Sequence, residues 1–162
     1  MNRVRKRESG NGIKENMNLE IIRATERWQQ AGAFYVRIQA MAKKHHITLR
    51  QEFDEHDAPD TKYILALDDD FPIATARMYE HDADSVIIGR IVTLPEYRHK
   101  GIGSAVVKEC ELWAAELGYK KVVLDSRDNK VEFYRKLGYK ECGEPYIDGD
   151  TFRCIRMEKD LS

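Results

Sequence analysis

Chemistry concentrates in one short stretch, Leu94-Pro-Glu-Tyr-Arg-His-Lys-Gly-Ile-Gly-Ser104, between a strand pattern and a helix pattern. Within it, Arg98-x-x-Gly101-x-Gly103 places two glycines where the backbone can turn tightly and come close to a ligand. A helix starting there offers unpaired amide N–H groups and the positive end of its dipole. That combination suits an anion such as a diphosphate, with Arg98 and Lys100 adding charge and Ser104 a hydroxyl. The stretch lacks the full G-x-G-x-x-G of a dinucleotide fold and the G-K-[ST] ending of a P-loop, and taken alone it also fits a plain strand-to-helix turn.

Three other groups carry chemical potential. Downstream, Phe133-Tyr-Arg-Lys-Leu-Gly-Tyr139 contains Tyr134, which reads either as a half-buried core aromatic or as a phenolic acid. Upstream, Glu52-Phe-Asp-Glu-His-Asp57 gathers carboxylates that could attract a cation or take a proton, or could form an ordinary solvated face. Arg90 fits a salt bridge across its strand face and a substrate contact equally well. The pair His45-His46 falls at a helix end, where adjacent side chains diverge, and suits a capping role better than shared metal ligation. None of the five histidines shows ligand spacing, and Cys110, Cys142 and Cys154 form no CxxC, so no metal site is expected.

Alternating strand and helix patterns position these groups. Leu19–Arg23 reads as a strand, and Thr25 opens a helical pattern. Phe34, Ile38, Met41 and His45 form its apolar face through about Lys44. Residues Glu52–Asp60 read as an acidic loop. Tyr63–Leu67 and Ile73–Tyr79 flank Asp68-Asp-Asp70 as a hairpin, and Ser85–Leu94 forms the next strand before Pro95. From Gly103 to Leu117, the residues Val106, Cys110, Trp113 and Leu117 make a helical face that Gly118 can cap. Lys121–Asp125 is a strand. A helix from about Asn129, with Asn129-x-x-Glu132 as a capping box, runs to Leu137, and Thr151–Glu158 is the last strand. This order predicts one α/β domain with a mixed sheet and no internal repeat.

Composition bounds the remaining choices. The chain has 162 residues, 42% hydrophobic, which suits a single domain, residues 17–162. Residues 1–16 hold five Lys/Arg and few aliphatics, and are expected to form a disordered basic arm, either an extension upstream of a usual start at Met17 or a tether. Net charge is −1, distributed as +7 over residues 1–51, −9 over 52–89 and +1 over 90–162. The near-balance argues against nucleic acid as a partner. No apolar run is long enough to span a membrane. The odd, unpatterned cysteines suit a reducing, cytoplasmic setting.

Taken with the strand Ile88-Gly-Arg-Ile-Val-Thr-Leu-Pro95, the Arg98–Ser104 loop and the Phe133–Tyr139 motif resemble the GNAT superfamily of acyl-CoA-dependent N-acetyltransferases. The resemblance spans about Leu19 to Leu161 and is strongest over Ile88–Tyr139. Phe34–Asp57 looks, more loosely, like the ElaA-like subgroup. It implies an α/β (α+β) fold with a mixed, mostly antiparallel central sheet, flanking helices and a splayed strand pair.

For acetyl-CoA as co-substrate, the resemblance implies pantetheine pairing by Ile91, Val92 and Thr93. Diphosphate binding falls to Arg98, His99, Lys100, Gly101, Ile102, Gly103 and Ser104, while Phe133 and Lys136 flank the pantetheine arm. Tyr134 would be the general acid toward the departing thiolate. Where many members carry an Asn contacting the cofactor, this chain has Arg127; Asn129 is the nearest Asn, and either binds the cofactor or caps the helix. The implied reaction moves acetyl to a primary amine, on a small molecule or a peptide, by direct attack in a ternary complex. Glu52, Asp54 and Glu55 are candidates for the base or the acceptor-binding charge. The rival reading is an acyl-CoA sensor or interaction module without transfer. A strand in the position of 151–158 often helps form a homodimer in proteins of this resemblance.

Overall fold

A buried glycine sets how closely the first long helix lies on its sheet. A Cβ added to Gly32 would come within 2.9 Å of Leu65 Cδ2 and 3.1 Å of Pro72 Cγ. The structure, a computed structural model, describes residues 4–6, 17–148 and 152–161. Helices flank an open, mixed and mostly antiparallel sheet, so the α/β expectation holds. The chain forms two compact units, Met1–Arg77 with Arg90–Cys110, and Met78–Gly89 with Glu111–Ser162.

In the first unit, strands β1 (Val4–Lys6), β2 (Leu19–Arg23), β3 (Lys62–Asp68) and the start of β4 (Phe71–Glu80) follow one another in the sheet. β2 runs antiparallel to β1, Val4 opposite Ile21, and to β3, Leu19 opposite Asp68. β3 and β4 are joined through Asp69 and Asp70, both left-handed at φ 46 and 66, the backbone of a two-residue type I′ hairpin. Helix α1 (Arg27–Arg37) opens with a capping box in which Glu26 and Gln29 satisfy each other's backbone N–H groups. It continues through a π-helical turn, Ile38–Ala42, and α2 (Lys43–His45), then stops at His46, left-handed at φ 54. Thr48 and Gln51 form a second capping box on the short α3 (Leu49–Glu52). Ile22, Ala24, Ala33, Tyr63, Leu65 and Leu67 form a buried cluster, with Phe34 packed against it.

The second unit is built on a parallel ladder between β5 (Ser85–Thr93) and β6 (Lys121–Arg127), which covers Ser85–Ile88 against Lys121–Leu124. β6 pairs antiparallel along its whole length with β9 (Phe152–Asp160). β9 also takes β7 (Lys140–Glu141) and β8 (Tyr146–Asp148). The second unit takes in the last six residues of helix α4 (Ile102–Glu116), and α5 (Val131–Lys136) follows β6.

Several expectations need correction. The fully buried stripe of α1 and its extension is Gln29, Gly32, Ala33, Val36, Arg37 and Ala40, one step round from Phe34, Ile38 and Met41. Gly32, Ala33 and Ala40 on that stripe are small, while the large Gln29 and Arg37 are buried there through their hydrogen bonds. Leu117 is exposed, because α4 ends at Glu116 and Gly118 turns left-handed at φ 92. Asn129 caps no helix: α5 starts at Val131 after a 3₁₀ turn, Asp128–Lys130, and its N-cap is Lys130, without a side-chain cap bond. The sequence pattern predicts none of β7, β8 and α3. Of the expected arm, Val4–Lys6 form a strand instead, and the rest of residues 1–16 lies outside the described residues, as does Thr151.

Candidate functional site

The glycine-bearing loop takes the conformation its sequence asks for. After β5, Leu94 N–H donates to the Ile73 carbonyl, and Pro95–Tyr97 form a 3₁₀ turn. Tyr97 anchors it by donating its hydroxyl to Asp68 Oδ2 at 2.8 Å. His99 and Gly101 are both left-handed, at φ 62 and 78. α4 then begins at Ile102, and the bond from Ala105 N–H to the Gly101 carbonyl closes its first turn. By helical geometry, the amides of Ile102, Gly103 and Ser104 precede any intrahelical acceptor and point out of the end. Arg98, His99, Lys100 and Gly101 are exposed, and a Cβ at Gly101 would meet nothing within 4 Å. A fifteen-residue helix dipole, two exposed cations and an open backbone fit a diphosphate. Ile91, Val92 and Thr93 are half-buried on the strand just before this loop.

The acidic stretch is organised around arginines. Arg37 is wholly enclosed and donates from Nη1 to Asp57 Oδ1 at 2.7 Å, from Nε to Glu52 Oε1 at 3.1 Å and from Nη2 to the Glu52 carbonyl at 2.9 Å. Its guanidinium also sits 4.3 Å over the Phe53 ring. Arg77 donates to Asp54 Oδ1 at 2.7 Å and to Asp57 Oδ2 at 3.2 Å. Burial pushes the Asp57 carboxyl up, yet Arg37, the Asp54 N–H and the Tyr63 hydroxyl hold it well below the usual carboxylate range. Burial and the same Asp57 raise the Tyr63 phenol. Asp54 is likewise lowered: burial opposes the shift, and the Arg77, His56 N–H and Arg90 contacts produce it.

Of the candidate acceptor-side carboxylates, Glu52 and Asp54 therefore face arginines, and the Glu55 side chain is 81% exposed. Arg90 is left-handed at φ 49 inside β5, the backbone signature of a bulge. Its guanidinium joins the same loop, so its ion pair is made with that loop and not across the strand face. The sequence pattern does not single out Arg37, Tyr63 or Arg77, and it marks Asp57 only as one carboxylate of the acidic loop. The available signal was an arginine on the buried stripe of a helix, followed by a run of carboxylates.

In the second unit, Tyr134 is buried on α5, its ring edge-on to Phe133 at 5.0 Å and to Tyr139 at 6.0 Å. Tyr139 N–H donates to the Tyr134 carbonyl, and the Tyr139 hydroxyl donates to Glu111 Oε2 at 2.8 Å. Lys159 ties Glu111 to the Leu137 carbonyl. Lys136 is exposed and Phe133 half-buried. Asn129 lines a cavity of about 440 Å³ with Val131, Glu132, Arg135 and Cys154. Arg127, at the position where an Asn is common, stacks its guanidinium 3.6 Å from the Phe152 ring centroid. Cys110 and Cys154 are buried thiols and Cys142 is exposed. Among the described residues no His, Cys, Asp and Glu cluster is arranged to hold a metal, and no helix is long and apolar enough to cross a membrane.

Comparison with known proteins supplies the rest. The profile of the Acetyltransferase (GNAT) family matches residues 21–139. The uncharacterized N-acetyltransferase YjcF of Bacillus subtilis is 28% identical over 82% of this chain and 93% of its own length. A solved structure from Lactobacillus plantarum, assigned as an N-acetyltransferase, is 27% identical and superposes with a TM-score of 0.83 over 89% of this chain and 99% of that one. A GNAT family acetyltransferase from Elizabethkingia anophelis with acetyl-CoA bound shares the fold at 20% identity. Its TM-score is 0.66 over 89% of this chain and 99% of that one.

Proposed function

The chain belongs to the acetyltransferase (GNAT) family, and on that premise we propose that it transfers the acetyl group of acetyl-CoA to a primary amine by direct attack in a ternary complex. The observation that carries the reading is the 98–104 loop, where left-handed His99 and Gly101, exposed Arg98 and Lys100 and the start of α4 form a cradle for the diphosphate of the acyl donor. Acetyl-CoA bound in a protein of the same fold supports the same donor here.

The proposed roles follow the family pattern. Ile91, Val92 and Thr93 pair with the pantetheine arm, Phe133 and Lys136 flank it, and Asn129, released from any capping duty, is free to contact it. The neutral amine attacks the thioester carbonyl carbon, and the carbon–sulfur bond breaks. A backbone N–H on the strand meets the charge that develops on oxygen. The phenol of Tyr134 gives its proton to the departing thiolate, a contribution of about 10²–10⁴ in rate, and is restored by the proton that the attacking nitrogen sheds as the amide forms. An alkyl ammonium acceptor, with a pKa of about 10, must first lose a proton, and Glu55 is an exposed carboxylate of the acidic loop able to receive it or to draw the cation in. The unpatterned thiols support a cytoplasmic setting.

Release of free CoA thiol over a panel of amines tests this, comparing wild type with Tyr134→Phe. Turnover that falls about 10²-fold in the variant supports the assignment. Calorimetry that shows no CoA binding to the wild type would overturn it.

A further inference from the structure

We propose that Arg90 is a positioning residue, which fastens the 52–57 loop to β5 and so sets the acceptor side of the transferase; this rests on the acetyltransferase reading above. Arg90 occupies a left-handed conformation, φ 49, inside a strand. Glycine adopts that conformation freely, whereas a residue with a Cβ does so at a cost. An arginine held there is accounted for by what its side chain does. Its Nε and Nη2 both donate to the Glu52 carbonyl, at 3.1 and 3.0 Å, and Nη2 also donates to Asp54 Oδ2 at 3.2 Å. Nε lies 3.5 Å from Glu52 Oε1. One guanidinium thus grips the loop at three oxygens.

The other two arginines of the loop have a different character. The side chains of Arg37 and Arg77 are 0% and 5% exposed and tie the loop into the protein interior. That of Arg90 is 26% exposed, so it holds the loop at the solvent edge. The next residues along the chain are Ile91, Val92 and Thr93, the strand proposed to receive the pantetheine arm. Arg90 therefore joins, within one residue, the backbone assigned to the acyl donor and the loop assigned to the amine. Its fork of N–H groups matches a carbonyl and a carboxylate together, which a lysine ammonium cannot reproduce.

Two variants test this, each read by amide hydrogen exchange and by steady-state kinetics with acetyl-CoA and an amine that the wild type acetylates. Arg90→Gly keeps the left-handed backbone without strain and removes the grip. Arg90→Lys keeps the charge and loses the fork, and it carries the test if the glycine variant does not fold. In Arg90→Gly, exchange over residues 53–57 should quicken about tenfold and the amine KM rise about tenfold, while the acetyl-CoA KM stays within about twofold. Arg90→Lys should fall between. Unchanged exchange at 53–57, or an acetyl-CoA KM that rises in step with the amine KM, overturns the proposal. A wild type that acetylates no amine refutes the transferase reading, and the exchange comparison then still decides whether Arg90 holds the loop.

Discussion

Arg37 and Asp57 meet prong to prong: Nη1 donates to Oδ1 at 2.7 Å and Nη2 donates to Oδ2 at 3.1 Å. The pairing is bidentate, the strongest geometry open to these two groups. Because the guanidinium is cut off from water, its desolvation is offset only while Asp57 and Glu52 stay in place.

Replacing that cation should therefore be costly. Arg37→Met fills similar volume but leaves two carboxylates facing an apolar side chain. We expect a loss of about 3–5 kcal/mol in urea unfolding, with little change in slope. A loss below about 1 kcal/mol would show that water compensates the carboxylates.

The pH dependence of stability follows from the shifted groups. Asp57 titrates lower in the folded chain than its unfolded value of about 3.9, so its contribution is complete above that pH and drains away as pH falls further. Tyr63 titrates higher than its unfolded value of about 10, so its contribution is present below pH 10 or so and is lost as pH rises beyond it. Unfolding midpoints in urea across pH should fall at both extremes. Asp57→Asn should flatten the acid limb and also weaken the alkaline one, because Asp57 helps to raise the Tyr63 phenol, whereas Tyr63→Phe should flatten the alkaline limb and leave an acid limb that Arg37 still sustains.

Gly101→Val separates a ligand effect from backbone strain. Both Gly101 and Gly118 are left-handed with open space where a Cβ would go. A β-branched residue should therefore strain each by about 1–2 kcal/mol. Only at Gly101 would the new side chain enter the proposed diphosphate position. Calorimetry should show CoA affinity lowered at least about tenfold in Gly101→Val and within about twofold of wild type in Gly118→Val.

Charge on the acidic loop is best probed at Glu55 alone, since reversing Glu52 or Asp54 would also break the arginine contacts. Glu55→Lys should raise KM for a dicationic amine about threefold to tenfold at low salt, with the difference shrinking as salt is added. Identical KM values for the two proteins at low salt would remove the loop from acceptor recruitment.

Local signals explain what the sequence revealed. The loop at 98–104 was legible because glycines, cations and a change of hydrophobic period coincide there, and α4 and β6 followed from the same periodicity. The charged core around Arg37 was hidden because a hydrophobic pattern counts arginine as polar, and its two acidic neighbours, Glu52 and Asp57, come from a segment that looks solvated. The left-handed backbone at Arg90 leaves no trace in composition, since only glycine or asparagine advertises that conformation. β7 and β8 are too short and too exposed to carry an alternating pattern.

The π-helical turn after α1 has a consequence for the spacing of everything behind it. Lys43 N–H reaches back five residues to the Ile38 carbonyl, so the helix carries one residue more than a regular α-helix would hold there. Each residue of an α-helix turns the chain by about 100°. Deleting one residue between Ile38 and Ala42 should let the turn close as ordinary α-helix and leave Lys43–His45 close to their present phase, because the surplus residue is already taken up inside the wide turn. A deletion in regular α-helix would instead swing everything after it round by about 100°. The turn is therefore slack in the chain, a stretch between an arginine and the carboxylates it must meet that can lose a residue and keep them aligned.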